Sequence, residues 1–167
     1  MSNSPFADVF RLEAVILSGV QGAGKSTFCR EHYWDTHVRI NYDMLRTRRR
    51  ESLLLAACIE ACQPFVIDAT NPTAEDRARY LAPAGQAGFY CIGIEFAIAT
   101  DRALARNRQR SGKARVPDKA LWATLGRKMP LTYAEGFDEI WLAEDGGSGP
   151  VLRRLVNDEA DPKAPDD

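Results

Sequence analysis

Eight residues near the N-terminus, Gly19-Val-Gln-Gly-Ala-Gly24-Lys25-Ser26, constrain the fold of this chain more than any other stretch. They fit the pattern G-x-x-x-x-G-K-S/T, which requires a strand before it and a helix after it. Residues 13–18 form a short apolar run that predicts a buried strand, and residues 25–32 predict a helix because no proline or glycine interrupts them. The sequence therefore predicts a phosphate-binding loop between a strand and a helix.

The residue types of this loop suit the binding of a nucleoside triphosphate. Glycines allow backbone N–H groups to turn inward around an anion, and the positive end of the following helix faces the phosphates. Lys25 adds a mobile positive charge, and the hydroxyl of Ser26 is placed to bind a Mg²⁺ ion that bridges the terminal phosphates. We therefore expect ATP and Mg²⁺ as cofactors. The expected nucleotide-binding residues of the loop are Gly22, Ala23, Gly24, Lys25, Ser26 and Thr27.

Strand-like and helix-like segments alternate along the rest of the chain, which is typical of a parallel sheet covered by helices. Further strands are predicted at residues 37–41, 65–68, 90–96 and 137–142, the last at a sheet edge because charged and apolar residues mix there. Residues 151–156 are compatible with a short strand or helix. The prediction is an α/β, three-layer P-loop NTPase fold with a parallel sheet of about five strands flanked by helices.

Four further helices are predicted around these strands. The first runs from about Met44 to Cys62, with residues 53–59 on its buried side. The second begins at a cap at Thr73 and is expected to kink or end early at Pro83. The third begins at residues 100–101, and the fourth follows Pro117 with an apolar stripe of Leu121, Trp122 and Leu125.

Length and composition favour a single domain. The 167 residues are 45% hydrophobic, which is enough for one compact core. We assign residues 1–156 to one P-loop kinase domain and expect the acidic residues 157–167 to be disordered. Those last residues hold five acids and one base, so the net charge of −1 becomes +3 for the rest of the chain.

Several functional classes have no support in the sequence. No apolar run approaches the ~20 residues of a membrane span, and the N-terminus lacks the pattern of a secretory leader, so we expect a cytoplasmic protein without membrane contact. No partner protein is evident. Cys29, Cys58, Cys62 and Cys91 form no metal-binding pattern, and we interpret all four as reduced packing residues.

Five segments occur in a specific order along the chain. They are the loop ending at Thr27, then Ile40-Asn41-Tyr42-Asp43 with Arg46, then Ile67-Asp68-Ala69-Thr70-Asn71-Pro72, then Arg106-Asn107-Arg108-Gln109-Arg110 before Val116-Pro117, and finally residues 131–137. Together they resemble the 5′-hydroxyl polynucleotide kinases, meaning the bacteriophage enzyme and the kinase domain of animal end-healing enzymes. The resemblance covers nearly the whole chain up to about residue 144.

The resemblance implies an adenylate-kinase-like fold and transfer of the ATP γ-phosphate to the 5′-OH of a nucleic acid end or of a nucleoside 3′-phosphate. Carried over by position, Asp43 is the general base, Arg46 binds the 3′ phosphate of the acceptor, and Arg110 is a catalytic lid arginine on the ATP phosphates. Arg106 is a second basic position in the same lid, at about residues 101–116. The chain departs from the phage pattern at Tyr42, where that pattern has a basic residue.

The chemistry of the residues alone leaves the assignment of the base open. An acceptor hydroxyl needs a nearby carboxylate to take its proton, and both Asp43 and Asp68 follow predicted strands. Asp43 lies close to Arg46, which suits an anionic acceptor, although a helix-capping role is the alternative. Asp68 suits a different role, in which its carboxylate acts on Mg²⁺ indirectly or organises the loop.

The arginine-rich stretches also have two interpretations. Residues 106–115 suit a lid over a triphosphate because guanidinium groups bind phosphate oxygens in pairs, and the alternative is a solvated helix face. The solvated face is the interpretation for three of the four arginines at positions 46, 48, 49 and 50, Arg46 being the exception. Three functions remain: a polynucleotide 5′-kinase, a small-molecule kinase on the same fold, and a nucleotide-dependent binding module without catalysis, which fits least well.

Overall fold

A six-stranded sheet organises the computed structural model, which describes residues 11–157 apart from the side chain of Lys113. Its strands are β1 (Glu13–Ser18), β2 (Val38–Ile40), β3 (Phe65–Ile67), β4 (Tyr90–Ala97), β5 (Glu139–Asp145) and β6 (Pro150–Arg154). The order across the sheet is β2-β3-β1-β4-β5-β6, and only β6 is antiparallel to its neighbour. The predicted α/β fold with five parallel strands is therefore confirmed, with one additional antiparallel strand.

Helices cover both faces of the sheet. They are α1 (Lys25–His32), α2 (Tyr42–Leu45), α3 (Arg48–Glu60), α4 (Ala74–Gln86), α5 (Thr100–Gln109) and α6 (Asp118–Arg127), with short 3₁₀ turns at Gly112–Ala114 and Tyr133–Glu135. Alternate residues of β1 point to opposite faces, so Ile16 packs in a core with α3 and α4, whereas Leu17 packs in a second core with α1, α5 and α6. This arrangement is the expected three-layer structure.

The last parallel strand does not lie at the sheet edge, which corrects the sequence prediction. Residues 145–150 turn the chain back, and β6 pairs with β5 from Asp145↔Pro150 to Trp141↔Arg154. The strand β5 mixes charged and apolar residues and is only partly buried, and its edge neighbour β6 is short and mostly exposed. The predicted acidic disordered tail lies outside the described residues, except for Asn157.

The predicted helix from Met44 to Cys62 is two helices. Arg46 adopts a left-handed backbone with φ of 68°, which ends α2, and the side chain of Thr47 then accepts a hydrogen bond from the Arg50 N–H to begin α3. The buried face of α3 also differs from the prediction, because Glu51 and Leu55 are buried while Leu53 is 61% exposed.

Three smaller predictions are corrected as well. Helix α4 continues through Pro83 to Gln86; the carbonyl that Pro83 leaves without its helical partner belongs to Arg79, which is exposed and so accessible to water. Trp122 is 54% exposed, so it does not belong to the buried stripe of α6 with Leu121. Cys62 is exposed, whereas the other three cysteines are buried and all four are free thiols. Among the described residues, no helix is long and apolar enough to cross a membrane.

Candidate functional site

The phosphate-binding loop lies at the carboxyl ends of the parallel strands, where β1 passes into α1. Gly22 and Gly24 have φ of 82° and 98°, a region that side chains disfavour. A Cβ atom at Gly22 would lie 2.8 Å from the Ala103 carbonyl oxygen of α5. Gly24 is the residue before α1, so the helix N-terminus opens onto the concave side of the loop.

Lys25 is buried inside this loop. Its Nζ donates hydrogen bonds to the carbonyl oxygens of Gly19, at 2.7 Å, and Val20, at 2.8 Å. Burial lowers the pKa of Lys25 from its usual 10.5 to about 8 because the charged form loses its hydration. The positive charges of Arg110 and Lys128 act in the same direction as burial, and the negative charges of Asp68 and Asp43 oppose it.

Ser26 and Asp68 meet beside the lysine. The Ser26 hydroxyl donates to Oδ1 of Asp68 at 3.2 Å, and Arg39 donates from Nε and Nη2 to Oδ2 at 2.8 and 2.6 Å. Asp68 is only 2% exposed, so the guanidinium of Arg39 compensates a buried charge. Arg39 carries no local sequence signal for this contact, because its partner lies 29 residues away along the chain.

The oxygen atoms of Ser26 and Asp68 fit a Mg²⁺ ion, which prefers oxygen ligands. Residues 11–157 contain no group of three or more histidine, cysteine or acidic side chains that would hold a metal by themselves. A Mg²⁺ ion at this position would therefore take most of its coordination from phosphate oxygens and water, with Ser26 as a direct ligand and Asp68 beside it.

A small central cavity of about 90 Å³ brings several predicted site residues together. It is lined by Gly22, Gly24, Lys25 and Ser26 of the loop, by Asp43 and Asp68, and by Arg110 from the end of α5. These residues come from distant parts of the sequence. Lys25, two carboxylates and an arginine therefore surround one volume of phosphate size.

A second cavity, which we call the hairpin cavity, lies on one side of the loop and has a volume of about 350 Å³. Its walls are the loop and α1, including Ala23 and Thr27, then Arg106 and Arg110, and the turn between β5 and β6. Arg106 donates to Asp145 at 3.0 Å, and Arg102 forms an ion pair with the same carboxylate at 2.8 Å. The N–H of Gly147 and these arginines lower the pKa of Asp145. The predicted lid helix is thus attached to the hairpin.

A third cavity, which we call the arginine cavity, lies on the other side and has a volume of about 310 Å³. Its walls include Asn41, Tyr42, Asp43, Asp68, Asn71, Asp76 and the three arginines Arg48, Arg79 and Arg127. Asp43 is exposed and belongs to both this cavity and the central one. Among the side chains that the structure describes, which exclude that of Lys113, its carboxylate accepts no hydrogen bond and forms no ion pair, unlike that of Asp68.

Arg46, the arginine that the resemblance assigns to the acceptor, lies elsewhere. It is exposed at the end of α2 and does not line the central, hairpin or arginine cavity. Arg48 lines the arginine cavity instead and is not a simple solvated side chain, because it pairs with Glu51 at 2.6 Å. Its spacing of three residues from Glu51 on α3 was the signal that could have identified it. Arg108 pairs with Asp118 and lines none of the three cavities.

A buried network couples the loop to the wall of the arginine cavity. Asn71 donates from Nδ2 to the Leu17 carbonyl at 2.8 Å, and the backbone carbonyl of Asn71 accepts from Ser18 Oγ at 3.1 Å. The same carbonyl accepts from Arg77, which is fully buried and donates twice to Glu135, at 2.6 and 2.8 Å. These hydrogen bonds therefore connect the strand before the loop to the wall of the arginine cavity.

Comparisons with known proteins agree with this fold. A family model described as an AAA domain matches residues 15–130. Kti12 from Chaetomium thermophilum, in complex with ADP-AlF₃, superposes with a TM-score of 0.63 at 13% identity, covering 78% of this chain and 88% of that one. A chain of the PezAT chromosomal toxin–antitoxin system of Streptococcus pneumoniae gives 0.62 at 12% identity, with 93% and 75% covered.

A sugar kinase from Janibacter sp. HTCC2649 is also similar, with a TM-score of 0.58 at 17% identity over 79% of this chain and 84% of that one. At such low identities the likeness concerns the fold, which is that of P-loop kinase-like proteins.

Proposed function

The chain belongs to the AAA domain family, and on that premise we propose that it is an ATP-dependent phosphotransferase whose acceptor is the 5′-OH of a polynucleotide end or of a nucleoside 3′-phosphate. The observation that carries the proposal is the position of Asp43. Its carboxylate borders the central cavity with Lys25 and Ser26, borders the arginine cavity, and has no partner among the described side chains. A general base needs this position between two substrates.

The loop residues would bind the donor. The nucleoside of ATP would occupy the hairpin cavity, and the loop N–H groups would hold the β- and γ-phosphates. Nucleotide binding by this fold is supported by Kti12, whose structure contains ADP-AlF₃. Lys25 would exchange its two carbonyl acceptors for phosphate oxygens, and Arg110 would stabilise charge that moves onto the β,γ-bridging oxygen. Mg²⁺, when bound at Ser26, neutralises phosphate charge and orients the γ-phosphate.

Asp43 would then act on the acceptor. The acceptor hydroxyl in the arginine cavity gives its proton to an Oδ atom of Asp43 while its oxygen forms the bond to the γ-phosphorus. The bond between that phosphorus and the bridging oxygen breaks, and ADP leaves. Asp68 suits this role less well, because Ser26 and Arg39 already occupy both of its oxygens.

A second candidate is a small-molecule kinase on the same fold. The arginine cavity supports it, because its volume of about 310 Å³ lies within the range of small-ligand sites and because Arg46 does not line it. A binding module without catalysis has less support, since it would have no use for an unpaired carboxylate beside Lys25.

Transfer of labelled γ-phosphate from Mg·ATP tests the proposal directly. The acceptor panel contains 5′-OH oligonucleotides, nucleoside 3′-phosphates, free nucleosides and sugars. We expect the wild type, and not Asp43→Asn, to label 5′-OH oligonucleotides and nucleoside 3′-phosphates. Asp35→Asn is the matched control, because Asp35 is exposed and lines none of the three cavities. Preferential labelling of sugars or free nucleosides would support the small-molecule kinase instead. If no hydroxyl were labelled, both kinase functions would be refuted.

A further inference from the structure

A buried carboxylate at the start of α3 is not explained by the reaction described above. Glu51 is 2% exposed, and its two oxygens accept hydrogen bonds from Arg48 Nη1 at 2.6 Å and from the Tyr80 hydroxyl at 2.8 Å. Burying a carboxylate costs several kcal/mol unless partners compensate it. The Tyr80 hydroxyl is held between the same two groups, at 3.4 Å from Arg48 Nη1, so the three side chains form one network.

This network fixes the orientation of Arg48 in the wall of the arginine cavity. The aromatic ring of Tyr42 adds a third constraint, with the Arg48 Cζ atom 4.2 Å from the ring centroid. The bonds to Glu51 and Tyr80 both use Nη1, while Nε and Nη2 donate to no residue within the described part of the chain. An arginine held in this way has already lost most of its rotamer freedom, so it binds an anion at less entropic cost than a mobile arginine.

A second arginine of the same cavity has a side chain without a partner among the described residues. Arg79, on α4, lines the cavity, and its guanidinium forms no hydrogen bond or ion pair with any described side chain or backbone group. It directly precedes Tyr80, which belongs to the network around Glu51. The third arginine, Arg127, is partly neutralised by Asp76 at 3.2 Å. The cavity therefore presents one oriented guanidinium and one unpaired guanidinium to its contents.

We propose that Arg48 and Arg79 form an anion subsite that binds a phosphate group of the acceptor, and that Arg48 rather than Arg46 determines this specificity. The inference rests on the proposed function, because it concerns the cavity that would receive the acceptor. Guanidinium groups bind phosphate oxygens through paired, charge-assisted hydrogen bonds. Glu51 and Tyr80 are positioning residues, since both act by holding Arg48. Tyr80 also borders the cavity, whereas Glu51 does not line it.

The phosphate has two chemical sources that the subsite itself does not distinguish. One is the phosphodiester or 3′-phosphate of a nucleic acid end, and the other is the phosphate of a small sugar phosphate. Adenosine 3′-phosphate and ribose 5-phosphate represent the two sources, and adenosine and ribose are the neutral counterparts.

The first experiment measures steady-state transfer with these acceptors. For Arg48→Ala and Arg79→Ala we expect the KM of the phosphorylated acceptor to rise roughly ten- to a hundredfold, with the KM of ATP unchanged, as for the loss of a charge-assisted contact. Glu51→Gln should raise the same KM by a smaller factor and leave kcat within about twofold, since only the orientation of Arg48 is lost. Arg49→Ala is the matched control, because Arg49 is exposed and lines none of the three cavities.

The comparison with Arg46→Ala decides between the two arginines. A large KM effect of Arg46→Ala together with wild-type behaviour of Arg48→Ala and Arg79→Ala would overturn the inference and leave the phosphotransferase intact. Arg48→Ala leaves Glu51 without its ion-pair partner and is therefore the variant at risk of not folding. Arg79 is exposed and unpaired, so Arg79→Ala tests the subsite in a folded protein whatever happens to Arg48→Ala.

Calorimetric binding separates failure of the subsite from failure of the proposed function. Adenosine 3′-phosphate, ribose 5-phosphate and their neutral counterparts are titrated into protein saturated with Mg²⁺ and a non-hydrolysable ATP analogue. Binding of a phosphorylated probe that weakens at least tenfold in Arg79→Ala would support the subsite even if no hydroxyl were phosphorylated, in which case only the proposed function would fall. Equal affinity for phosphorylated and neutral probes in the wild type would overturn the subsite.

Discussion

The charge of Lys25 should make nucleotide affinity depend on pH between 7 and 9. Its Nζ is buried against the carbonyls of Gly19 and Val20, and burial lowers the pKa of the free protein's lysine to about 8. Bound phosphates carry negative charge next to Nζ and favour its protonated form, so the pKa of Lys25 rises when nucleotide binds. A proton is therefore taken up on binding above pH 8, and affinity decreases as the pH rises through that value.

The size of the effect follows from the pKa. If only the protonated lysine binds phosphate, the dissociation constant is multiplied by one plus the ratio of neutral to protonated lysine in the free protein. With a pKa of about 8 the constant rises roughly twofold at pH 8 and about tenfold at pH 9 relative to pH 7, which at pH 9 is about 1.4 kcal/mol of binding free energy. The curve levels off only where the lysine of the complex begins to lose its own proton.

Calorimetric titration with Mg²⁺ and a non-hydrolysable ATP analogue at pH 7, 8 and 9 measures this dependence. Lys25→Arg is the control, because a guanidinium keeps its charge throughout this range and should give a flat profile. Circular dichroism at each pH establishes that the protein remains folded. A wild-type dissociation constant that stays constant from pH 7 to 9, or an equal decline in affinity for Lys25→Arg, would refute the reasoning from Lys25.

Three further substitutions test separate parts of the account. Ser26→Ala should raise the Mg²⁺ concentration needed for half-maximal transfer while nucleotide binding without metal persists, and an unchanged Mg²⁺ titration would remove Ser26 from the metal site. Arg110→Ala should lower kcat more than ATP affinity, because the charge of Arg110 matters most in the transition state. Arg108→Ala should change little, because Arg108 pairs with Asp118. Equal kinetics of the two variants would mean that neither arginine acts on the phosphates. Arg77→Met should lower the free energy of unfolding in urea by about 3–5 kcal/mol, because it leaves the Glu135 carboxylate without its partner. A loss below about 1 kcal/mol would contradict the structural role of this pair.

Local sequence signals predicted the parts of the fold that depend on neighbouring residues. The bounds of β1 and α1 agree with the predicted residues 13–18 and 25–32, because the G-x-x-x-x-G-K-S pattern specifies what precedes and follows it. Thr73 caps α4 through the Asp76 N–H as predicted, since a capping residue needs only its own backbone. The division between α2 and α3 was missed although Thr47 caps α3 in the same way, because the left-handed residue that ends α2 is Arg46 and not a glycine.

Features that depend on distant residues were not accessible from the sequence. The sequence left residues 151–156 open between a short strand and a helix, and β6 is a strand because the hairpin at residues 145–150 brings it beside β5. The sequence indicated Lys25, Asp43 and Arg110 as site residues, and the structure places them around one cavity. It gave no indication of the ion pair of Arg39 with Asp68, because that contact is created only when β2 and β3 pair.

Single-turnover transfer by Asp43→Asn tests the central claim most directly, because the substitution is nearly isosteric and removes only the ability to accept a proton. ATP affinity is measured by calorimetry on the same protein preparation, and the transfer rate is measured with saturating acceptor by rapid quench. The account predicts a rate lower by roughly 10²- to 10⁴-fold with ATP affinity within about twofold of the wild type. Loss of ATP affinity with an unchanged transfer rate would contradict it, since Asp43 would then serve the nucleotide and not the acceptor.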